Sequence, residues 1–337
     1  MIHTIKKWYV NFLEKEEKTG LEVLFYLFLV ILSFVYGIIV VIRNFLYDLK
    51  IIRATKVKNK VIGIGNLSWA GSGKTTLAMH LYQKLCGEFK TAILRRGYGD
   101  DEGRLIEEKT QDVFSSPDRA RLAKTKSSSF ELFMLDDGLQ YRRLKKDLEI
   151  VVMGARELKK PYRLIPASFF REPLSALKRV RVLVLNYADE IENSEAQKRR
   201  LQEKFSHLKI YLARYTLKRF VDLEGNEYKR EDLINKRVAA LAAIGYPQGF
   251  FNKLKELGIN PTRKIVYPDH YQLSKDEFCT LEYELLDEGM GELIITSKDK
   301  YHIPQNINAK IKIIVMEIEI EIDEEKEFLQ TIKTYLK

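Results

Sequence analysis

Cysteine is nearly absent. Cys86 and Cys279 are the two in 337 residues, too few for a disulfide framework, so the fold must rest on a packed core and a reducing compartment is the default. Each is expected to be a small core residue rather than a nucleophile or a ligand. No helix-turn-helix, zinc-finger or RNA-binding signature is present. The formal net charge of +10 is therefore read as an affinity for an anionic membrane or a small polyanion, with no nucleic-acid partner. There is no internal repeat and no low-complexity tract. Charge is missing altogether from Val23 to Ile42, a run long enough as a helix to cross a hydrocarbon core of about 30 Å. It is too long for a signal peptide, and no small-residue cleavage site follows it. The alternative, a buried core helix, fits less well with so long an apolar run.

What the chain does contain is organised around Val61 to Thr75, VIGIGNLSWAGSGKT. An apolar run, Val61 to Ile64, predicts a strand. A loop rich in Gly and Ser ends in Gly73-Lys74-Thr75, and Leu77, Met79, Leu81 and Leu85 predict a helix. That order is the context of a phosphate-binding P-loop. Glycines let backbone N–H groups face a polyphosphate, and the helix N-terminus adds partial positive charge. The nucleotide-binding candidates are Ser68, Trp69, Ala70, Gly71, Ser72, Gly73, Lys74, Thr75 and Thr76, with Lys74 on the β- and γ-phosphates and Thr75 toward Mg²⁺. Ser68 stands where G-x-x-x-x-G-K-[ST] has its first glycine.

Ahead of this loop, residues 1–20 are amphipathic, with Lys6, Lys7, Lys15 and Lys18 against Glu14, Glu16 and Glu17. Arg43, Lys50, Arg53, Lys56, Lys58 and Lys60 follow the apolar run and place that flank in the cytoplasm. The lysines before the run weaken the asymmetry, so spanning and interfacial seats both remain open. After the P-loop helix, Thr91 to Leu94 predicts a strand that runs into Arg95-Arg96-Gly97-Tyr98-Gly99-Asp100-Asp101-Glu102. Phe130 to Leu135 predicts a strand ending in Asp136-Asp137-Gly138. An acid at a strand end beside a P-loop normally serves Mg²⁺, although Asp-Asp-Gly also suits a plain turn. Strands alternating with helical stretches predict a mainly parallel α/β sheet of the P-loop NTPase kind with helices on both faces. The division expected is an N-terminal membrane-associated segment over 1–54, a P-loop core over 55–215 and a smaller C-terminal α/β lobe over 216–337. In that lobe, Ile311 to Ile322 alternates Glu and Ile near its end and is expected to reach a sheet edge.

Several motifs, taken in order, resemble the tetraacyldisaccharide 4′-kinase family: Gly65-Asn66-Leu67-Ser68 with Gly71-Ser72-Gly73-Lys74-Thr75, Arg96-Gly97-Tyr98, Asp136-Asp137-Gly138-Leu139-Gln140, Leu164-Ile165-Pro166-Ala167 with Arg171-Glu172-Pro173, Asp269-His270-Tyr271 and Thr296-Ser297-Lys298-Asp299. An apolar N-terminal helix closing with Arg43 and Tyr47 is similar too. Ala70, Tyr141 and Ser168 depart from the residues usual there. The resemblance implies transfer of the ATP γ-phosphate to the 4′-hydroxyl of a tetraacyl glucosamine disaccharide 1-phosphate, giving lipid IVA in lipid A biosynthesis. It implies a lipid substrate met at the inner membrane, with the catalytic domain on the cytoplasmic side.

By that resemblance Asp101 is the catalytic base, with Asp100 beside it in the register, and His270 orients it; on spacing alone His270 is a turn residue. Thr75 with Asp136 or Asp137 would hold the metal. Arg96, Arg119 and Arg171 are candidates for gripping phosphate. Asn66, Tyr98, Gln140 and Glu172 complete the substrate set. Two other functions fit parts of the sequence. A membrane-anchored GTPase switch would draw on Asn186-Tyr187-Ala188-Asp189, similar to a guanine-reading Asn-Lys-x-Asp except that Tyr replaces Lys. A P-loop kinase for a soluble small molecule would need the apolar helix only as a tether.

Overall fold

The computed structural model describes residues 8–337 except 14, 16, 70, 98, 99, 160, 161 and 306, and it leaves the side chains of Asp100, Asp101, Glu102 and Lys159 undescribed. Lys6, Lys7, Glu14, Glu16, Ala70 and Tyr98 therefore lie outside the described residues, as does the side chain of Asp101. The chain forms two compact units. One comprises Val10–Tyr98, Ile106–Arg214 and Ile320–Lys337; the other is built on Tyr215–Glu319 with Gly99–Leu105.

The first unit opens with helix α1 (Gly20–Asp48). Its strands are β1 (Lys60–Gly65), β2 (Thr91–Arg95), β3 (Val113–Ser115), β4 (Leu132–Asp136), β5 (Leu148–Gly154), β6 (Val182–Asn186) and the start of β7 (Lys209–Asp222). Their order is β7-β6-β5-β1-β4-β2-β3, and every pair is parallel. Parallel strands need crossovers, which supply α2 (Lys74–Leu85), α3 (Asp100–Lys109, grouped with the second unit as far as Leu105), α4 (Arg119–Thr125) and α5 (Ser194–Lys204). The central strands read as almost unbroken apolar runs because both faces are covered. Leu201 of α5 joins a cluster with Val151, Met153, Leu183 and Leu185, while Ala120 and Ala123 of α4 join one with Ala92, Leu94, Phe133 and Leu135.

Strands β1 and β4 are neighbours, Ile64 pairing with Asp136. The P-loop and the acidic strand end thus emerge side by side at the carboxyl ends of the sheet, where open α/β sheets bind ligands.

The second unit holds the rest of β7, β8 (Glu227–Tyr228), α6 (Glu231–Ile234), β9 (Val238–Ala242), α7 (Pro247–Glu256), β10 (Arg263–Val266), α8 (Lys275–Asp287), β11 (Glu292–Thr296) and most of β12 (Lys312–Ile322). Its strand order is β10-β9-β11-β12-β7. The edge is β10, not β12. The alternating glutamates of β12 are answered by arginines of β7: Glu317 accepts from Arg219 at 2.9 Å and Glu321 from Arg214 at 2.5 Å. A polar face opposite a basic strand looks in sequence like a solvent edge. Cys86 and Cys279, expected in the core, are both exposed. The closing helix α9 (Glu325–Leu336) belongs to the first unit, where Phe328 packs edge-on against Tyr211 and Glu325 meets His80 and Lys84 of α2 at 2.9 and 3.1 Å.

Candidate active site

The loop from Asn66 to Gly73 joins β1 to α2. Gly73 has φ +88°, a left-handed conformation that only glycine takes without cost, and it is the residue from which α2 starts. Lys74 and Thr75 occupy the first turn, Thr75 buried and Lys74 half-buried. On the neighbouring strand end, Asp137 also has a positive φ, 51°. The turn is pressed against β1. The Gly138 N–H donates to the Ile64 carbonyl at 2.9 Å, and a Cβ on Gly138 would stand 2.8 Å from the Gly63 Cα.

This close approach brings three charges together. Lys74 Nζ lies 3.9 Å from Asp137 Oδ1, and Arg171 grips the same carboxylate with both prongs at 2.7 and 3.0 Å. Burial works to raise the Asp137 carboxyl; Arg171, Lys74 and Arg119 outweigh it and hold the group below its usual range. Asp136 is buried, whereas Asp137 is half-buried, and the Asp136 Oδ1 accepts the Asp137 N–H at 2.9 Å. The Thr75 hydroxyl and one strand-end carboxylate suit a hard divalent cation such as Mg²⁺, which is held by one or two carboxylates plus substrate phosphates. Among the described residues no group of three His, Cys, Asp or Glu could hold a metal ion by itself.

The other predicted residues separate into groups. Asn66, Gln140 and Arg171 converge: Gln140 Nε2 donates to the Asn66 carbonyl at 2.9 Å and Arg171 Nη2 to its Oδ1 at 2.6 Å. Arg119 is buried rather than presented to a ligand. Its Nη1 donates to the Asp136 carbonyl at 2.7 Å, and its guanidinium stacks 4.1 Å from the Tyr141 ring centroid. Tyr141, the departure from the usual residue, is thus the platform that fixes Arg119. Arg96 is exposed beyond β2. Glu172, expected at the sugar or in support of such a contact, is fully buried and turned toward α1. It pairs with Arg43 and accepts from Asn44 at 2.9 Å, because a buried carboxylate must find its countercharge inside the protein.

Asp101 lies in the first turn of α3. In the second unit, His270 sits at φ +65°, its Nε2 3.5 Å from Asp269. Its ring stands edge-on to His302, centroids 6.5 Å apart, and His302 Nδ1 is 3.0 Å from the buried Asp299.

Two supports of the loop have no local pattern in the sequence. Ser68 donates to Glu157 Oε1 at 3.0 Å. Glu157 follows β5 and is 3 % exposed, and burial pushes its carboxyl up. The serine in place of glycine was the signal that some partner had to exist. The second is Asn186, whose Nδ2 holds the Ser72 carbonyl at 2.9 Å while its Oδ1 accepts the Tyr187 N–H at 2.9 Å. Its carboxamide braces the P-loop.

Comparison with known proteins agrees with this geometry. The sequence matches the family model described as tetraacyldisaccharide-1-P 4′-kinase over residues 25–104 and 99–337. The tetraacyldisaccharide 4′-kinase of Aquifex aeolicus is 32% identical over 313 residues, covering 83% of this chain and 92% of that one. The enzyme of the same name from Halothermothrix orenii is 26% identical over 356 residues, with coverage of 91% and 93%. A crystal structure of the "apo" form of LpxK from Aquifex aeolicus in complex with ATP superimposes with TM-score 0.68 at 28% identity, covering 91% of this chain and 98% of that one. With a P-loop braced as described and a family match along nearly its whole length, the chain belongs to the tetraacyldisaccharide 4′-kinase family.

Proposed function

We propose that this chain transfers the γ-phosphate of ATP to the 4′-hydroxyl of a tetraacyl glucosamine disaccharide 1-phosphate, giving lipid IVA, and that it does so at the cytoplasmic face of the inner membrane. The observation that carries the reading is the Lys74–Asp137–Arg171 cluster at the mouth of the P-loop. Phosphoryl transfer asks a protein for positioning and for positive charge around the γ-phosphate. Lys74 supplies that charge, and Asp137 keeps both it and Arg171 aimed. When bound, Mg²⁺ would neutralise phosphate charge, held by Thr75 and Asp136 or Asp137. Asp101 is assigned the proton of the acceptor hydroxyl, with His270 orienting it and sharing its charge. Nucleotide binding is assigned to the core of 55–215, and residues 216–319 carry His270.

The apolar helix accounts for the acceptor's acyl chains. Leu29, Ser33, Val40 and Asn44 of α1 are buried in one stripe, whereas Leu21, Leu24, Phe28, Ile31, Phe34 and Ile39 are exposed. By length and composition α1 is sufficient to cross a membrane. Its stripe instead docks on the unit as far as Asn44: Ser33 donates to the Leu164 carbonyl at 2.7 Å and Tyr36 to that of Arg171 at 3.0 Å. That contact supports a helix lying in the interface with its outer face in lipid.

The test is transfer of labelled phosphate from ATP to a detergent-dispersed disaccharide 1-phosphate lipid. Lys74→Ala is expected to lower turnover by on the order of 10²–10³, and Asp101→Ala to lower kcat far more than it weakens ATP binding. An intact, ATP-binding wild type that transfers nothing would sink the assignment.

A further inference from the structure

The buried Glu172 is a junction. Its carboxylate pairs with Arg43, accepts from Asn44 Nδ2 at 2.9 Å and lies 3.3 Å from Arg179 Nη2. Two of these three partners come from the last turns of α1. The adjacent Arg171 faces the opposite way. Its N–H donates to the Leu67 carbonyl at 2.7 Å, and its guanidinium holds Asp137 and Asn66. A second route leaves the same end of α1. Arg142 donates to the Asn44 carbonyl at 2.9 Å and pairs with Asp48 at 2.6 Å, and Gln140, two residues earlier, donates to the Asn66 carbonyl. Both routes end on Asn66, which is fully buried and donates to Ser72 Oγ at 3.1 Å inside the P-loop.

We propose that the C-terminal end of α1 is a positioning element for the nucleotide: Arg43 and Asn44 hold Glu172, Glu172 keeps Arg171 on Asp137 and Asn66, and the polyphosphate binds at full strength only with that end of the helix seated. The proposal rests on the Lys74 loop being the nucleotide site. It adds that residues of the anchor helix, outside that site, set its affinity. The physical cause is the intolerance of a buried carboxylate. Without Arg43, Glu172 is left with Arg179 alone, which it shares with Glu149, and must draw closer to it or to water. The peptide it shares with Arg171 then shifts. A two-pronged guanidinium contact depends on angle as well as distance, so the grip on Asp137 loosens and Lys74 loses the partner that aims it. A helix that served only as an anchor would alter membrane attachment and stability but leave the ATP affinity of the folded protein alone.

The experiment measures Mg–ATP binding calorimetrically on the full chain in detergent micelles, together with the KM for the lipid acceptor. Arg43→Ala is expected to weaken ATP binding about tenfold, the size of one lost charge-assisted contact, with the acceptor KM within about twofold. Arg43→Lys keeps the charge on a shorter side chain that cannot place its donor where Arg43 Nη2 meets Glu172, and should fall between wild type and Arg43→Ala; it carries the test alone should Arg43→Ala not fold. A folded variant that binds ATP as tightly as wild type overturns the proposal. A wild type that binds no ATP overturns the P-loop reading beneath it, so the two failures are distinguishable.

Discussion

Lys74, Thr75, Asp136 and Asp137 were legible in the sequence because their chemistry forces a local pattern. A phosphate loop needs glycines, a lysine and a hydroxyl within a few residues, and a strand-end acid needs an apolar run before it. Their supports were not legible. Glu157 lies 89 positions from the Ser68 hydroxyl it accepts, and only the fold brings them together. Arg171 and Arg119 read as phosphate contacts or salt-bridge residues, and Glu172 as a sugar contact or a support for one; the structure turns Arg119 to a carbonyl and Glu172 to α1, since type and spacing say nothing of where a side chain points. Glu157 yields a pH prediction. Burial raises its carboxyl pKa in the folded chain, so its contribution to stability is full below the ordinary glutamate range and is lost as pH rises through the raised folded value. Glu157→Gln keeps the Oε1 acceptor for Ser68 and removes the charge. Its melting temperature should match wild type in acid and exceed it at pH 8; a variant less stable than wild type at pH 8 would mean that the carboxylate is ionised and paired.

At the level of elements, the strands expected over Val61 to Ile64, Thr91 to Leu94 and Phe130 to Leu135 are observed as β1, β2 and β4 within two residues of those ends, because core strands are apolar on both faces. The failures came where partners are remote. The glutamates of β12 look like a solvent edge until Arg214 and Arg219 of β7 stand opposite them. The contact between β1 and the Asp-Asp-Gly turn is a further case, because sequence places the two motifs but not their separation. Here it is the spacing of backbones. A methyl group on Gly138 would meet Gly63 Cα at 2.8 Å, the Leu135 carbonyl at 3.0 Å and Ile64 N at 3.1 Å, none of which is the movable end of a side chain. Gly138→Ala is expected to cost about 1–3 kcal/mol of stability by overpacking and to weaken ATP binding by moving Asp137 from Lys74. Denaturant unfolding and calorimetry check the two effects. Unchanged unfolding would mean that the strand ends are softer than their packing implies.

At the scale of the molecule, the chain order misleads at its end. Residues 320–337 follow the second unit in sequence but group with the first, α9 packing by Phe328 on Tyr211 and by Lys333 on Glu88 beyond α2. No local pattern reveals which sheet an amphipathic helix will cover. The same limit left the seat of α1 open, since twenty uncharged residues satisfy a spanning helix and an interfacial one alike. The docked stripe decides what to expect. On the interfacial reading proposed above, a helix held by the protein at Ser33, Tyr36, Arg43 and Asn44 would have to give up these contacts to cross a bilayer, or take Arg171 and Glu172 into hydrocarbon, where a charge costs at least about 2.5–3.5 kcal/mol. The N-terminal flank should therefore remain on the same side as the P-loop. A Lys18→Cys variant with Cys86 and Cys279 replaced by serine places a single thiol on that flank. An impermeant maleimide should label it in inverted inner-membrane vesicles and spare it in intact spheroplasts. Labelling from the outer face would instead require α1 to leave its stripe and cross, and with it would go the interfacial seat and the route by which Arg43 reaches the nucleotide.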